Sequence, residues 1–294
     1  MTAPRQVLAG TTYLVTRRCA ERRFFLRPSN KTTNGVFLYL LAVAAQRFEI
    51  QVHAFTVLSN HFHLVVTDTH ARLPAFHQFL DALVARALNA SMGRWEAFWA
   101  PNSYSAVTLV SPSDILDKAA YVLANPTAAG LVSSGRLWPG LWSAPEHVGG
   151  DAYEVARPKH FFDSKGVLPE KAILQLTPPP GFTAEEFREK LAASVADREV
   201  EAAREVHCFL GVARVLSQKP TGRPRPGEPR RTMNPRIAAR DKWKRIEALG
   251  RLVAFLRSYR SAWAKRREGK TDATFPCGTY LLRLAHNVPC AGFG

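Results

Sequence analysis

Two apolar, β-rich runs, residues 50–58 (IQVHAFTVL) and 62–67 (FHLVVT), are separated only by Ser59, Asn60 and His61. So short a break between two such runs points to a hairpin. Residues i and i+2 of a strand project to the same side of the sheet. His61 and His63 therefore present two imidazoles together, while Phe62 faces the other way. A pair so spaced can hold a first-row metal or Mg²⁺ if an oxygen ligand joins it. By itself the pair is weak evidence for a metal, since either histidine could be a satisfied core residue.

The hairpin sits within an alternation of short strands and longer helices. Residues 11–16 (TTYLVT) are β-branched and aromatic and read as a strand. Residues 38–48 read as a helix continuing from the stretch before, with Phe37, Leu40, Leu41 and Ala44 on one face. Residues 73–92 carry Phe76, Phe79, Leu80, Leu83, Val84, Ala87 and Leu88 at helical spacing. Residues 104–110 read as another strand, and Pro112-Ser113-Asp114 opens a helix running to about Ala124. The order β-α-β-β-α-β-α predicts an α+β fold, a ferredoxin-like antiparallel sheet with helices on one face. A mainly helical, basic C-terminal extension follows. Residues 184–217 read as a charged helix, 236–267 as a long one, and 279–284 as a short strand.

The expected division is a catalytic domain over 1–150, a connecting region over 151–219, and a basic extension over 220–294. Charge supports it. The formal net charge is +16, and residues 220–270 carry 16 Lys and Arg against 4 Asp and Glu. Three quarters of the excess therefore lies in that stretch, as expected of a polyanion binder. Its Pro-rich start, residues 220–235, precludes a regular helix and keeps its arginines exposed. In the long helix, Trp243, Ile246, Leu249, Val253, Leu256, Tyr259 and Trp263 form an apolar stripe expected to pack, leaving a basic face outward. Cys19, Cys208, Cys277 and Cys290 include no CxxC pair, which disfavours a disulfide framework or zinc ribbon. Cys277, His286 and Cys290 match no known zinc spacing, so reduced, buried thiols are expected. No signal-peptide pattern opens the chain and no long apolar run crosses it, so a cytoplasmic protein without a membrane span is expected.

A second element lies 58 residues beyond His63, in the stretch YVLANPTAAGLV (121–132). Tyr121 and Asn125, four apart, share a helix face, and Pro126 is expected to end the helix with Asn125 at its terminus. A phenol needs a metal or base nearby to become a nucleophile at neutral pH. On spacing alone, Tyr121 as core filler at a helix end is the simpler reading.

The combination of SNHFH on a hairpin strand with a downstream YVLANPTAAGLV resembles the HUH single-tyrosine transposases (U being a hydrophobic residue), above all the REP-associated tyrosine transposase branch. The resemblance covers about residues 8–145. It departs at Ser59, where that branch often has Pro. It implies the HUH endonuclease fold, with Tyr121 as catalytic nucleophile, His61, His63 and Asn125 as ligands of Mg²⁺ or Mn²⁺, and a 5′-phosphotyrosine intermediate. The implied partner is single-stranded or hairpin DNA, with no nucleotide cofactor and a monomeric chain. Two other readings compete: a domesticated DNA-binding protein that no longer cuts, and a hydrolase of small phosphoesters. Further DNA contacts are expected from Arg17, Arg18, Arg22 and Arg23 after the first strand, and from Arg223, Arg225, Arg230 and Arg231 in the Pro-rich stretch. Trp95, Phe98 and Trp99 could stack on bases but suit a core better. His53, Ser59, His70 and His77 read as structural or solvated.

Overall fold

The hairpin forms as the sequence predicts. In the computed structural model, which describes residues 4–29, 32–101, 104–224 and 235–292, β1 spans Thr11–Arg18, β2 Ile50–Leu58 and β3 His61–Asp68. β2 and β3 pair antiparallel, with Leu58 opposite His61 across the Ser59-Asn60 link. Neither link residue has positive φ, so this is not the self-sufficient primed turn of tight hairpins. Tertiary bonds hold it: the amides of Leu26 and Cys19 donate to the carbonyls of Ser59 and Asn60, and the Ser59 hydroxyl donates to Gln218 Oε1 at 2.7 Å.

β1 pairs antiparallel with β3, and β4 (Ser105–Leu109) pairs antiparallel with β1. The order β2-β3-β1-β4 is that of a ferredoxin-like sheet, so the α+β expectation holds. A two-residue strand from the C-terminal part, Ile237–Ala238, adds itself parallel to β4. Loop segments cover the outer edge of β2: Val57 and Thr177 amides donate across it, to Leu141 O and Val52 O, and Phe55 exchanges bonds with Ser143. That removes an open edge from the hairpin.

Helices α1 (Thr33–Phe48) and α2 (Leu73–Ser91) share one face of the sheet. Phe62 anchors them, its ring 5.1 Å from Phe37 of α1 and 6.3 Å from His77 of α2. The third helix, α3 (Pro112–Ala128), lies on the opposite face, against the residues of β3 that alternate with Phe62, so the helices do not all share the one face expected of them. Its start follows the sequence closely: Ser111 and Asp114 form a reciprocal capping box.

Its end does not. Pro126 lies inside the helix, which continues to Ala128, so Asn125 is an interior residue. A proline there leaves the carbonyl four residues back, that of Val122, without its helical donor. The buried Thr56 hydroxyl of β2 supplies the missing bond at 2.9 Å, and the Trp142 indole N–H donates to the next carbonyl, Leu123 O, at 2.8 Å. Gly135 packs against that indole so closely that an added Cβ would lie 2.9 Å from Leu123 O. The helix survives its proline because Thr56 of the sheet replaces the donor that proline removes.

The region after residue 150 joins the same core. β5 (Tyr153–Ala156) and β6 (Lys171–Leu174) form a hairpin against α1, with Ala172, Leu174 and Leu176 buried there. α4 (Ala184–Glu205) lays Phe187, Leu191 and Val195 into that core beside α3. The helix expected over 184–217 is interrupted because the amides of Leu210 and Gly211 turn back to the carbonyls of Gly130 and Leu131. A short α5 (Val212–Leu216) follows.

The long C-terminal helix, here α6 (Lys242–Arg267), begins six residues later than expected and buries a different stripe. Ala248, Phe255 and Ala262 are buried and Tyr259 packs on Phe275, whereas Trp243, Ile246, Leu249 and Val253 are exposed. The helix has two apolar ridges, and the one bearing alanines docks because small side chains allow close approach. The strand expected over 279–284 is instead helix α7 (Leu281–His286), a short apolar run whose period did not discriminate. Among the described residues no helix is long and apolar enough to cross a membrane.

Replacing Thr56 by Val is expected to destabilise the fold by about 1–3 kcal/mol by leaving Val122 O unsatisfied. Adding Pro126→Ala, which restores an amide donor, should recover part of that loss. Strictly additive effects in a denaturant-unfolding double-mutant cycle would show that the two residues do not share this carbonyl.

Candidate active site on the histidine hairpin

His61 and His63 emerge from the same face of β3, with ring centroids 4.8 Å apart and planes perpendicular. Tyr121 projects from α3 with its ring 5.6 Å from that of His63. The sequence separates these residues by 58 positions. The docking of α3 through Thr56 closes the gap, since Thr56 pairs directly with His63 across the sheet and bonds the carbonyl next to Tyr121.

Each imidazole is held by its Nδ1. Thr16, the cross-strand neighbour of His63 on β1, lies 2.7 Å from His63 Nδ1, and Asn60 Oδ1 accepts from His61 Nδ1 at 2.6 Å. The Asn60 bond directs the lone pair of His61 to Nε2. His63 Nε2 is buried and, among the described residues, has no hydrogen-bond partner, an unusual state for a polar atom in a folded protein. Burial holds the pKa of His63 down at about 3, and the nearby Arg18 adds to the shift. His61 is lowered well below its ordinary value, by burial first and then by His63, Arg18 and Arg22. Both rings are therefore neutral at neutral pH, the form that ligates a metal. An oriented Nδ1 and an unshared lone pair on the other nitrogen also match the support that metal-binding histidines receive. Among the described residues no cluster of three or more His, Cys, Asp and Glu could hold a metal. A third donor beside the histidines would be an amide, a phenol, water or substrate. Asn125, half-buried one helical turn beyond Tyr121, belongs to that class.

Arg18 and Arg22 are exposed and lie close enough to His61 to depress its pKa. The loop that carries Arg22 takes two consecutive left-handed residues, Glu21 and Arg22, a costly conformation for non-glycine residues. Arg17 points to the opposite face, where it pairs with Asp81 at 3.4 Å beside Trp99. Arg23 pairs with Glu21 at 2.7 Å and donates to Thr221 O. Arg223 is exposed, and Arg225, Arg230 and Arg231 lie outside the described residues.

Phe98 is buried and Trp99 donates to Asp81 O, whereas Trp95 is 87% exposed. His70 makes an exposed pair with Glu49, and His77 is buried, stacked at 3.8 Å on Tyr104. Cys19 is buried and Cys277 and Cys290 half-buried, but Cys208 is exposed, against the expectation of buried thiols throughout. Sequence reasoning passed over Thr16, Thr56 and Asn60. Asn60 alone carries a signal in its adjacency to His61, because the other two meet the site only through strand register.

Tyr121 is 37% exposed and His61 partly exposed, whereas His63 is buried. A cavity of about 500 Å³ elsewhere, between the start of β1, the start of α3 and α6, contains none of them.

Among known proteins, no family model matches the chain. No curated protein matches it either. A solved structure of a REP-associated tyrosine transposase bound to a REP hairpin is similar over 48% of this chain and 81% of its own, at 17% sequence identity and a TM-score of 0.40.

His53 occupies the bulge of β2 and is fully buried between Thr177 O and the Thr67 hydroxyl, each 2.8 Å away. Burial lowers its pKa to about 4, only partly offset by the Thr177 bond. A histidine so depressed contributes stability above its unfolded value of about 6.5 and loses it as pH falls towards 4. The wild type should lose stability over that window, and His53→Gln should flatten the loss in denaturant-unfolding curves. An equal slope in the variant would place the acid sensitivity elsewhere.

Proposed function

We propose that this chain is a metal-dependent endonuclease and strand transferase acting on single-stranded or hairpin DNA, with Tyr121 as nucleophile. The observation that carries this reading is the convergence of His61, His63 and Tyr121 at one place, with the buried Nε2 of His63 bonded to none of the described residues. The HUH-like motifs in the sequence supply the reaction type. His61, His63 and Asn125 are the residues that would hold Mg²⁺ or Mn²⁺, with His61 and His63 presenting Nε2. When bound, such an ion polarises a scissile phosphate and offsets charge as it develops on the phosphoryl oxygens.

Thr16 and Asn60 keep the two rings oriented, and Arg18 and Arg22 offer guanidiniums to flanking phosphates. The Tyr121 oxygen bonds to phosphorus as its proton leaves to solvent. The bond to the 3′ oxygen breaks, its electron pair staying on that oxygen, which takes up a proton. The strand end remains on Tyr121 as a 5′-phosphotyrosine, so the phosphodiester energy is conserved and rejoining needs no ATP. An exposed Tyr121 outside any enclosed cavity suits a polymer strand better than a small phosphoester, which enclosed pockets favour.

Incubation with labelled hairpin oligonucleotides and Mn²⁺ is expected to give a covalent adduct on denaturing gels. Tyr121→Phe should abolish it, and chelation of the metal should suppress it. Thr16→Val, which loosens one ring, should raise the Mn²⁺ concentration needed by about 10- to 100-fold. An undiminished adduct from Tyr121→Phe, or none from wild type across varied hairpins, would sink the assignment, and the latter would favour a binder that does not cut.

A further inference from the structure

The outward face of α6 has a composition that neither its fold nor the site explains. Lys242, Ile246, Leu249, Val253, Arg257 and Arg260 follow one another at spacings of three and four and so form one ridge. The aliphatic middle faces solvent instead of the core, and Trp243 at its edge is 74% exposed, with Lys242 Nζ 5.7 Å from its ring. Further along, Trp263 is also exposed. The helix carries nine Lys and Arg against the single Glu247, which pairs with Arg251. Its other apolar ridge, through Ala248, Phe255 and Ala262, already docks it to the chain. The outward ridge is therefore surplus to folding.

We infer that this face of α6 binds an unpaired nucleic-acid strand, with bases laid on Trp243 and the Ile246–Leu249–Val253 patch and phosphates on Lys242, Arg257 and Arg260. The inference deepens the reading of the chain as a single-strand DNA enzyme and rests on it for the identity of the strand.

The chemistry selects the occupant. Exposed apolar side chains need an apolar partner, and a net charge of this size demands an anionic one. An unpaired strand is both at once, since its bases offer π-faces and its backbone offers phosphates. A duplex hides its bases in the stack and would leave the apolar ridge in water. A second copy would cover the ridge but bring two strongly cationic helices together, at a cost that grows as salt is lowered.

The test uses the full chain carrying Tyr121→Phe, so that binding is read without chemistry. The probes are a labelled oligothymidylate and a blunt duplex, each titrated across a range of salt. A variant with Trp243→Ala, Ile246→Gln and Val253→Gln changes only exposed positions, and circular dichroism checks its helix content. It is expected to lose roughly tenfold or more in affinity for oligothymidylate. Its affinity for the duplex and its salt slope should stay unchanged. The companion variant Arg257→Gln, Arg260→Gln should weaken both probes and shallow the salt slope.

Equal losses on the two probes from the apolar variant, or none on either, would overturn the proposal. So would a wild type that sediments as a dimer and an apolar variant that sediments as a monomer, which would make the ridge a contact between copies. Strand discrimination by α6 without any Tyr121 adduct would refute the enzymatic reading while leaving this surface in place. An adduct that forms with no discrimination would do the reverse.

Discussion

One hydrogen bond joins the two halves of the candidate site where they meet, beside the apolar packing of α3 on the sheet. Pro126 takes an amide donor out of α3, and the Val122 carbonyl it leaves behind is bonded by Thr56 of the hairpin. A buried acceptor without a donor costs far more than an ordinary bond contributes, so this one is close to obligatory. It joins the strand residue opposite His63 to the helix residue after Tyr121. The proline is thus both the defect in the helix and the reason the helix has a fixed seat on the sheet. Trp142 and Gly135 reinforce that seat one carbonyl further on.

Around this seat the site keeps two kinds of nitrogen apart. The histidines are driven neutral, chiefly by burial, and present lone pairs. The guanidiniums of Arg18 and Arg22 stay exposed, and their field pushes the histidines further from protonation. Cations are therefore available to a polyanion without competing for the position between the rings. The strained loop after β1 brings Arg22 into that arrangement.

Away from the site, the basic C-terminal part contributes to the fold through contacts that include the edge strand at Ile237–Ala238 and the alanine-bearing ridge of α6. Neither requires its charge. Nor does either require the exposed tryptophan and aliphatic ridge on the far side of α6, so these features have a use other than folding.

Much of this architecture was legible in the residues themselves. Two β-rich runs with a short break over 50–67 determined the hairpin, and the period of two that holds wherever a strand forms put His61 and His63 on a common side. The apolar runs and the Pro112-Ser113-Asp114 opening located α2, β4 and the start of α3, and the charge count located the basic extension. Local rules failed where the deciding partner was distant in sequence. Pro126 reads as a helix stop unless Thr56 is known to stand beside it, α4 breaks because residues 210–211 bond to 130–131, and either ridge of α6 satisfies the helical period. Period and propensity are properties of a segment. Which carbonyl receives a donor, which ridge is covered and which histidine nitrogen is left bare depend on what lies across the gap, and only the tertiary structure supplies that.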